Sequence, residues 1–252
     1  MKRIFITGAS SGIGAGLARH YAKHDTTIGL VARRAEVLAD LAKELRAAGA
    51  TVHVYPADVA DTAAMGKAIA KFLADAGGAD LVIANAGVGI KSALLEGNAE
   101  DVARLMQVNV IGVTNTVVPF LPAMVKQGSG VLCAVSSMAG HRALPGRVAY
   151  SASKKAVTTF MDGLRMDLHD SGVHAMTICP GFVKTPMTEG MKDMPFLVEL
   201  DFAVKVMTDA IAAHRDTFTF PWQMNVLKEV MTRAPEWLVR KAAPKARDRS
   251  TL

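Results

Sequence analysis

The chain alternates short apolar runs with longer segments in which apolar residues recur at helical spacing. The short runs are rich in β-branched residues, which is typical of strands buried in a parallel sheet. They read RIFIT, TIGLVA, TVHVYPA, DLVIANA, GVLCAVSS, VHAMTICPG and TFTF. The helical patterns between them cover residues 13–23, 35–48, 62–76, 100–125, 150–169 and 202–214. We therefore predict a doubly wound α/β fold: a mainly parallel, seven-stranded sheet with helices on both faces.

The composition agrees with one folded unit of this class. The 252 residues are enough for a single α/β domain with a substantial core. Half of them are hydrophobic but only 6% are aromatic, so aliphatic side chains must fill that core. We assign residues 1–220 to one domain and residues 221–252 to a C-terminal extension.

The positive charge is concentrated in the extension. The chain has a formal net charge of +6, and residues 221–252 hold seven Lys and Arg against three Asp and Glu, which leaves +4 there and +2 elsewhere. A short basic tail without a readable motif does not indicate a nucleic-acid-binding protein. Apolar residues within the extension could form a helix face, which would pack on its own protein, on a second subunit or on an anionic membrane surface. Of these we favour packing on its own protein.

The sequence also predicts a cytoplasmic protein without membrane-spanning segments. Strand-like sequence starts directly after Met1, which leaves no room for a signal peptide, and no uninterrupted run of about 18 apolar residues occurs. Cys133 and Cys179 stand singly in apolar runs, so we interpret them as reduced core residues and expect neither a metal nor a redox role.

Small and turn-forming residues follow four of the predicted strands, at the edge where open parallel sheets bind their ligands. TGASSGIG follows the first strand, NAG the fourth, SS the fifth and PG the sixth. In TGASSGIG, Gly8 can make the sharp turn, Gly12 lets a pyrophosphate approach, and Gly14 lets the next helix pack closely. The helix N-terminus then offers N–H groups to phosphates. A glycine-rich turn is a weak signal alone, but this one follows a strand and opens a helix, which indicates a dinucleotide site.

The end of the second strand bears on which dinucleotide is bound. An acidic residue there would bind the adenosine ribose and repel a 2′-phosphate, but the sequence has Arg33 and Arg34 after Ala32. A guanidinium offers a planar fork to a phosphate, so we favour NADP(H) over NAD(H), with Arg33 as the first candidate contact. The alternative is that both arginines are solvated residues at a helix start.

Tyr150 and Lys154 stand four residues apart in AYSASKKAV, so a helix puts both side chains on one face. An unperturbed phenol has a pKa near 10, and proton transfer at neutral pH needs this pKa lowered by about three units, or roughly 4 kcal/mol. A lysine ammonium about 5 Å away contributes roughly 3 kcal/mol at an effective dielectric constant of about 20. The pair is therefore a candidate proton donor and acceptor.

Two further polar residues are candidates for the same site. Ser137 ends the fifth strand and could hold a substrate carbonyl; because adjacent strand residues point to opposite faces, either Ser137 or Ser136 faces the cleft, but not both. Asn109 lies in a predicted helix, and from the residues alone we interpret it as a buried, hydrogen-bonded asparagine.

Together these motifs resemble the short-chain dehydrogenase/reductase family in its compact, single-domain, Rossmann-type form. TGASSGIG is similar to its cofactor loop, NAG to its strand-four motif, and PGFVKT to the segment that closes over the nicotinamide. Asn109, Ser137, Tyr150 and Lys154 fall in the order of the family's catalytic tetrad. The resemblance covers roughly residues 1–190.

The resemblance implies a role for each residue of the tetrad. Tyr150 would exchange a proton with the substrate oxygen, and Ser137 would hold that oxygen. Lys154 would bind the nicotinamide ribose and lower the pKa of Tyr150, and Asn109 would fix a water molecule in the proton relay. The implied cofactor contacts are Gly8, Ser10, Ser11, Gly12, Ile13, Gly14, Arg33, Arg34, Asp58, Val59, Asn85, Ala86, Gly87, Tyr150, Lys154, Pro180, Gly181, Val183 and Thr185.

The family's substrate lid would cover about residues 186–200, where Met187, Met191, Met194 and Phe196 suggest an apolar substrate. The resemblance also implies a homodimer or homotetramer packed through helices near residues 100–125 and 150–170. We therefore expect an NADP(H)-dependent enzyme that interconverts a small-molecule carbonyl compound and its alcohol. Reduction of a 3-oxoacyl thioester is an alternative, although the extension departs from that group, and a non-catalytic dinucleotide sensor is a third reading.

Overall fold

The computed structural model describes residues 1–89, 97–143, 146–191, 194–233, 235 and 237, apart from the side chains of residues 227, 228 and 231. Within these residues, seven parallel strands form one sheet in the order β3-β2-β1-β4-β5-β6-β7. The strands are β1 Arg3–Thr7, β2 Thr27–Ala32, β3 Thr51–Pro56, β4 Leu81–Ala84, β5 Gly130–Val135, β6 Val173–Pro180 and β7 Thr217–Phe220. The predicted doubly wound fold is confirmed, because the strand order reverses beside β1.

The helices lie on both faces of this sheet, and their ends fall within about two residues of the predicted ones. They are α1 Gly12–Tyr21, α2 Ala35–Ala47, α3 Thr62–Ala76, α4 Ala99–Met106, α5 Gly112–Val117, α6 Leu121–Gln127, α7 Val148–Asp167, α8 Leu200–Ala212 and α9 Trp222–Arg233. One core cluster joins the sheet to α1, α2 and α8, and a second joins it to α3, α5 and α7. The clusters are mostly aliphatic, as the composition requires.

The single helix predicted for residues 100–125 is a run of five helical segments. Between α4 and α5 lies a π-helical turn, Gln107–Ile111, and between α5 and α6 a 3₁₀ turn, Val118–Phe120. Pro119 explains the second break, because proline has no N–H to donate and its ring crowds the preceding turn. The π turn was not predictable from hydrophobic spacing, and it contains Asn109.

Length and composition alone would allow this run, Ala99–Gln127, to cross a membrane, since it has an 18-residue window of mean hydropathy 1.6. The sequence prediction missed this window because it counted only uninterrupted apolar residues. In this fold the inner side chains, among them Val113, Val117 and Phe120, pack in the second core cluster. We therefore interpret the run as a core helix. The cytoplasmic location stays a prediction.

The C-terminal extension begins where β7 ends, and its described part is the helix α9. Met224 is buried and packs against Gly181, and the Asn225 side chain donates to the carbonyl of Thr219 at 3.2 Å. Trp222, Val226 and Val230 are exposed, so within the described residues α9 buries the side that holds Met224 and leaves the side that holds these three exposed. The division of the chain at residue 220 stays a prediction.

Candidate active site

The glycine-rich turn after β1 is closed by contacts that leave no room for side chains. Gly8 has a φ of 67°, a conformation that favours glycine. A Cβ on Gly14 would lie 2.3 Å from the Gly8 carbonyl oxygen and 2.6 Å from Nδ2 of Asn85. Gly14 therefore does what its spacing predicts: it lets α1 approach the sheet closely.

The N-terminus of α1 is open toward this turn. Its N-cap residue, Ser11, makes no side-chain capping bond, and the first turn has no acidic residue. By contrast, Asp61 caps α3 by accepting from the N–H of Ala64. The first N–H groups of α1 therefore lack a side-chain acceptor, and together with the helix dipole they favour an anion such as a pyrophosphate.

A cavity of about 290 Å³ lies beside this N-terminus at the carboxyl ends of the strands. Of the predicted cofactor contacts, it is lined by Gly8, Ser10, Ser11, Gly12, Ile13, Arg33, Arg34, Asp58, Val59, Asn85, Ala86, Gly87 and Thr185. Five further lining residues were not selected from the sequence: Ala32, Ala57, Val88, Val108 and Pro186. Met187, which was selected as a lid residue, also lines the cavity. Much of the lining is glycine, alanine and serine, so a dinucleotide can approach the backbone closely.

Other predicted contacts lie outside that lining. Gly14 packs behind the turn, and Pro180, Gly181, Val183, Tyr150 and Lys154 belong to the neighbouring ends of β6 and α7. The cavity therefore lies at the glycine turn and the end of β2, and Gly87 in its lining adjoins Lys154.

Asn85 ties the end of β4 to the glycine turn. Its Nδ2 donates to the carbonyl oxygens of Thr7 at 3.1 Å and Gly8 at 3.3 Å, and its N–H is bound by the Thr7 hydroxyl at 3.1 Å. Through Asn85, the NAG motif therefore fixes the end of β4 against the end of β1, beside the cavity.

The two arginines after β2 lie at the mouth of the cavity. Arg34 Nη2 donates to Ser10 Oγ at 3.0 Å, which holds it against the glycine turn. Arg33 Nη1 is 4.0 Å from Asp58 Oδ2, and both side chains are largely exposed, so this ion pair is weak. Both guanidinium groups are therefore placed to meet a phosphate, with Asp58 beside Arg33.

The serine pair at the end of β5 divides as the strand alternation predicts. Ser136 Oγ is buried and hydrogen-bonds the Lys154 carbonyl at 2.9 Å and the Thr158 hydroxyl at 3.1 Å. Ser137 Oγ accepts from the N–H of Ala139 at 3.1 Å, and its hydroxyl acts to lower the pKa of Tyr150. Ser137 is therefore the serine that faces the reacting phenol.

The Lys154 side chain is buried, with 4% of its surface exposed. Its Nζ donates to the carbonyl of Val135 at 2.9 Å and lies 5.7 Å from the centre of the Tyr150 ring. A Cβ on Gly87 would lie 3.4 Å from this Nζ and 3.3 Å from Asn109 Oδ1, so the strand-four motif reaches the tetrad.

The side-chain amide of Asn109 is fully used within the protein. Its Oδ1 accepts from the N–H of Val88 at 2.8 Å, and its Nδ2 donates to the Val88 carbonyl at 3.0 Å and to Ser153 Oγ at 3.1 Å. Ser153 Oγ in turn donates to the Tyr150 carbonyl at 2.8 Å. Asn109 is buried and hydrogen-bonded, as the residues alone indicated, and it joins the loop after β4 to α7.

The predicted lid is an irregular segment rather than a helix over its described residues. A bridge between Val183 and Val198 closes its base, and a Cβ on Gly12 would lie 3.3 Å from the Thr185 side chain. Met187 lines the cavity, and Met191 Sδ lies 3.7 Å from Arg147 Nη2. Met194 is partly buried and Phe196 is exposed. The lid thus spans from the glycine turn to the start of α7.

Comparison with known proteins identifies the chain at family level. A family model described as short chain dehydrogenase matches residues 2–195. A Myxococcus xanthus protein named as an uncharacterized oxidoreductase is 41% identical over 243 residues, which are 96% of this chain and 96% of that protein. The chain belongs to the short-chain dehydrogenase/reductase family. It is therefore an oxidoreductase of that family, as the motifs predicted.

Solved structures place the fold in the same family. A short-chain dehydrogenase/reductase from Burkholderia phymatum in complex with NAD has a TM-score of 0.81 at 26% identity, covering 96% of this chain and 95% of that one. A short chain dehydrogenase from Burkholderia cenocepacia in complex with NADP also has a TM-score of 0.81, covering 89% of this chain and 98% of that one; at 23% identity it shows the fold alone. The first of these solved structures holds NAD and the second holds NADP.

The direction of the Tyr150 pKa shift differs from the one expected from the sequence. Burial raises the pKa of Tyr150, and the hydrogen bond from Ser137 and the charge of Arg147 oppose this rise without overcoming it. Burial also lowers the pKa of Lys154 to about 8. The expected lowering of the Tyr150 pKa by Lys154 is therefore not seen in the protein alone. Arg147, one turn before Tyr150, is a contributor that the sequence analysis did not assign to the phenol.

We predict that Lys154→Met stabilises the fold at neutral pH. The unfolded lysine has a pKa near 10.4 and the folded one about 8, so at pH 7 the folded state holds a costly buried charge. Urea unfolding at pH 7 should show Lys154→Met more stable than the natural chain by about 1–3 kcal/mol. As the pH rises from about 8 to about 10.5, the natural chain regains stability and the gap should close.

The exposed neighbour Lys155 supplies the control, because Lys155→Met changes the same side chain on the outer face of α7. Its stability should stay within about 0.5 kcal/mol of the natural chain. A loss of stability in Lys154→Met that does not depend on pH would contradict this account of the buried charge.

Proposed function

We propose that this oxidoreductase interconverts a carbonyl compound and its alcohol with NADP(H), with Tyr150 as the proton donor and acceptor. The observation that carries the proposal is the joint placement of Ser137, Tyr150 and Lys154 beside the cavity at the carboxyl edge of the sheet. A phenol can donate the proton that carbonyl reduction needs, a hydroxyl beside it can hold the carbonyl oxygen, and a buried ammonium can stabilise the phenolate.

In the reducing direction, NADPH held by the glycine turn and by Lys154 would supply the hydride that the carbonyl carbon accepts. The Ser137 hydroxyl donates a hydrogen bond to the carbonyl oxygen and holds it next to the phenol. Tyr150 then transfers its proton to that oxygen as negative charge develops there, and the phenolate recovers a proton afterwards. In the oxidising direction the same atoms move the proton from the alcohol to Tyr150.

Lys154 stabilises the phenolate that this proton transfer leaves. One N–H of its ammonium is bound by the Val135 carbonyl, which leaves two for the hydroxyls of the nicotinamide ribose. Asn109 acts by position, since its amide fixes α7 to the loop after β4 through Ser153 and Val88. Both N–H groups of Asn109 Nδ2 are used in this way, so a role of Asn109 in a proton relay would have to go through its amide oxygen or its backbone.

Two observations support NADP(H) over NAD(H). Arg33 and Arg34 border the cavity at the end of β2, where the chain has no carboxylate to bind the ribose hydroxyls. The 4.0 Å contact between Arg33 and Asp58 is largely exposed, so a 2′-phosphate can replace it at little cost.

The lid supports an apolar substrate. Met187, Phe196 and Leu197 of the lid are exposed, so a substrate that enters past the lid meets apolar side chains, among them a flexible methionine. A free ketone or aldehyde therefore fits better than a charged substrate. Reduction of an acyl thioester is the alternative that a substrate panel has to separate.

We also propose that the chain forms a homodimer or homotetramer through the long helices. Ile111, Val118 and Val125 recur at seven-residue spacing along one face of the Ala99–Gln127 run and are exposed, as is Met166 on α7. An exposed apolar row of this length indicates a protein–protein interface.

Replacing the phenol oxygen tests the proton donor directly. Tyr150→Phe should lower the rate of NADPH oxidation by at least about a hundredfold, because it removes the general acid while leaving the ring in place. The measurement is NADPH consumption with aldehydes, ketones, diketones, steroids and acetoacetyl thioesters, together with NADPH affinity by fluorescence. Tyr21→Phe is the control, since Tyr21 packs against the first core cluster. Undiminished turnover in Tyr150→Phe would exclude the proposed mechanism.

Removing a single guanidinium tests the cofactor preference. Arg33→Ala should weaken NADPH binding by about ten- to a hundredfold and leave NADH binding nearly unchanged, because a charge-assisted hydrogen bond to the 2′-phosphate is lost. Arg34→Ala should have a smaller effect, and Arg104→Ala, an exposed arginine on α4, none. Equal losses for both nucleotides in Arg33→Ala would sink the assignment.

Charges placed on the exposed row test the oligomer. Val118→Glu combined with Val125→Glu should shift the mass measured by sedimentation velocity to that of the monomer, because carboxylates cannot be desolvated at such an interface. Val37→Glu, on the exposed side of α2, should leave the mass unchanged. A natural chain that sediments as a monomer at all concentrations would rule out this interface.

A further inference from the structure

The helix α9 has two distinct faces. Its inner face holds Met224, 2% exposed, whose side chain packs over Gly181 at the end of β6. Its outer face holds Trp222, Val226 and Val230 at spacings of four residues, and these are 71%, 55% and 61% exposed. Both ends of the helix are tied down, since Asn225 binds Thr219 and Arg142 donates to the Thr232 carbonyl at 3.3 Å. The apolar outer face is therefore a fixed surface.

A second apolar set lies at the same end of the molecule. Met187, Phe196 and Leu197 of the lid are also exposed, and the lid follows β6 just as α9 follows β7. Since β6 and β7 are adjacent and parallel, both sets border the carboxyl edge at which the cavity opens. We call these six residues the mouth surface. Exposed apolar patches of this kind mark interaction sites.

The charge of the neighbouring chain indicates what the mouth surface meets. Residues 221–252 carry a net charge of +4. On α9 itself the exposed Arg233 is paired with Glu229 at 3.2 Å, so the excess positive charge lies in the sequence after α9. The residues after Trp237 offer little that could cover the mouth surface, because they are mostly Lys, Arg, Ala and polar residues with only two Leu and one Val. A tryptophan and valines beside a basic segment form the pattern that binds anionic lipid headgroups and the outer acyl chains.

A second copy of the chain is a poorer occupant. A two-fold contact through the mouth surface would bring two equal surfaces together, and with them two basic extensions that repel each other. The chain also has another apolar row for self-association, Ile111, Val118 and Val125, which lies on a helix rather than at the carboxyl edge.

We propose that the mouth surface docks on an anionic membrane surface, with the carboxyl edge of the sheet turned toward the lipid. The docking is independent of the chemistry of the site. Its consequence, that an apolar carbonyl substrate enters from the lipid phase, rests on the proposed function.

Vesicle binding of the full chain tests the docking. The protein is sedimented with vesicles of phosphatidylcholine alone and with vesicles that also contain phosphatidylglycerol, at increasing salt. Val226→Ser combined with Val230→Ser should bind the anionic vesicles roughly tenfold more weakly, because it removes apolar area from the contact. Val37→Ser, an exposed valine on α2, is the matched control and should bind as the natural chain does. Arg240→Gln combined with Lys241→Gln should also weaken binding, while it leaves α9 unchanged.

The expected result is binding to anionic vesicles that falls with salt and with both double variants, while NADPH affinity is unchanged in each. No binding by the natural chain, or equal binding by the natural chain and both double variants, would overturn the docking. A lower sedimentation mass of Val226→Ser/Val230→Ser without lipid would assign the mouth surface to a second copy and overturn it as well. Because vesicle binding is measured without a carbonyl substrate, its failure leaves the proposed redox function standing, and the reverse also holds.

Discussion

The structure depends on one constraint: a lysine ammonium is buried beside a phenol, and no carboxylate of the described residues forms an ion pair with it. Lys154 meets a backbone carbonyl instead, that of Val135 at the end of β5. The chain can pack this closely around Lys154 because glycines stand at two of the contact positions. A Cβ on Gly140 would lie 2.9 Å from the Lys154 carbonyl carbon and oxygen, and one on Gly87 would lie 3.4 Å from Nζ. Burial costs stability but keeps the charge unscreened where a phenolate has to form.

In the proposed function this arrangement gives the site a part that binds the dinucleotide and a part that reacts. The binding part is mostly backbone, an uncapped helix N-terminus and a glycine turn, and the side chain of Asn85 holds β1 to β4 there. The reacting part is made of side chains on α7 and at the end of β5, held in place by Asn109 and Ser136. The lid reaches from one part to the other, since Thr185 borders Gly12 and Met191 borders Arg147.

Local patterns were enough to predict the fold and most of the site. Alternating apolar runs gave the seven strands, strand alternation separated Ser137 from Ser136, and helical spacing brought Tyr150 and Lys154 to one face. Features that depend on contacts between distant parts of the chain were not predictable. Desolvation of Tyr150, which reverses the direction of its pKa shift, depends on how distant segments cover the ring. The π turn, the partners of Asn109 and the exposed face of α9 depend on tertiary packing in the same way.

The most direct test of the central claim is the absorbance of tyrosinate, followed against pH with and without NADP⁺. The chain has three tyrosines, and burial raises the pKa of both Tyr21 and Tyr55, so a tyrosine that ionises near neutral pH can be assigned to Tyr150. We predict no such ionisation in the protein alone and one tyrosine ionising near neutral pH once NADP⁺ adds its positive nicotinamide beside Lys154. The signal should be absent in Tyr150→Phe. A titration that NADP⁺ leaves unchanged would contradict the role of Tyr150 as the proton donor and acceptor.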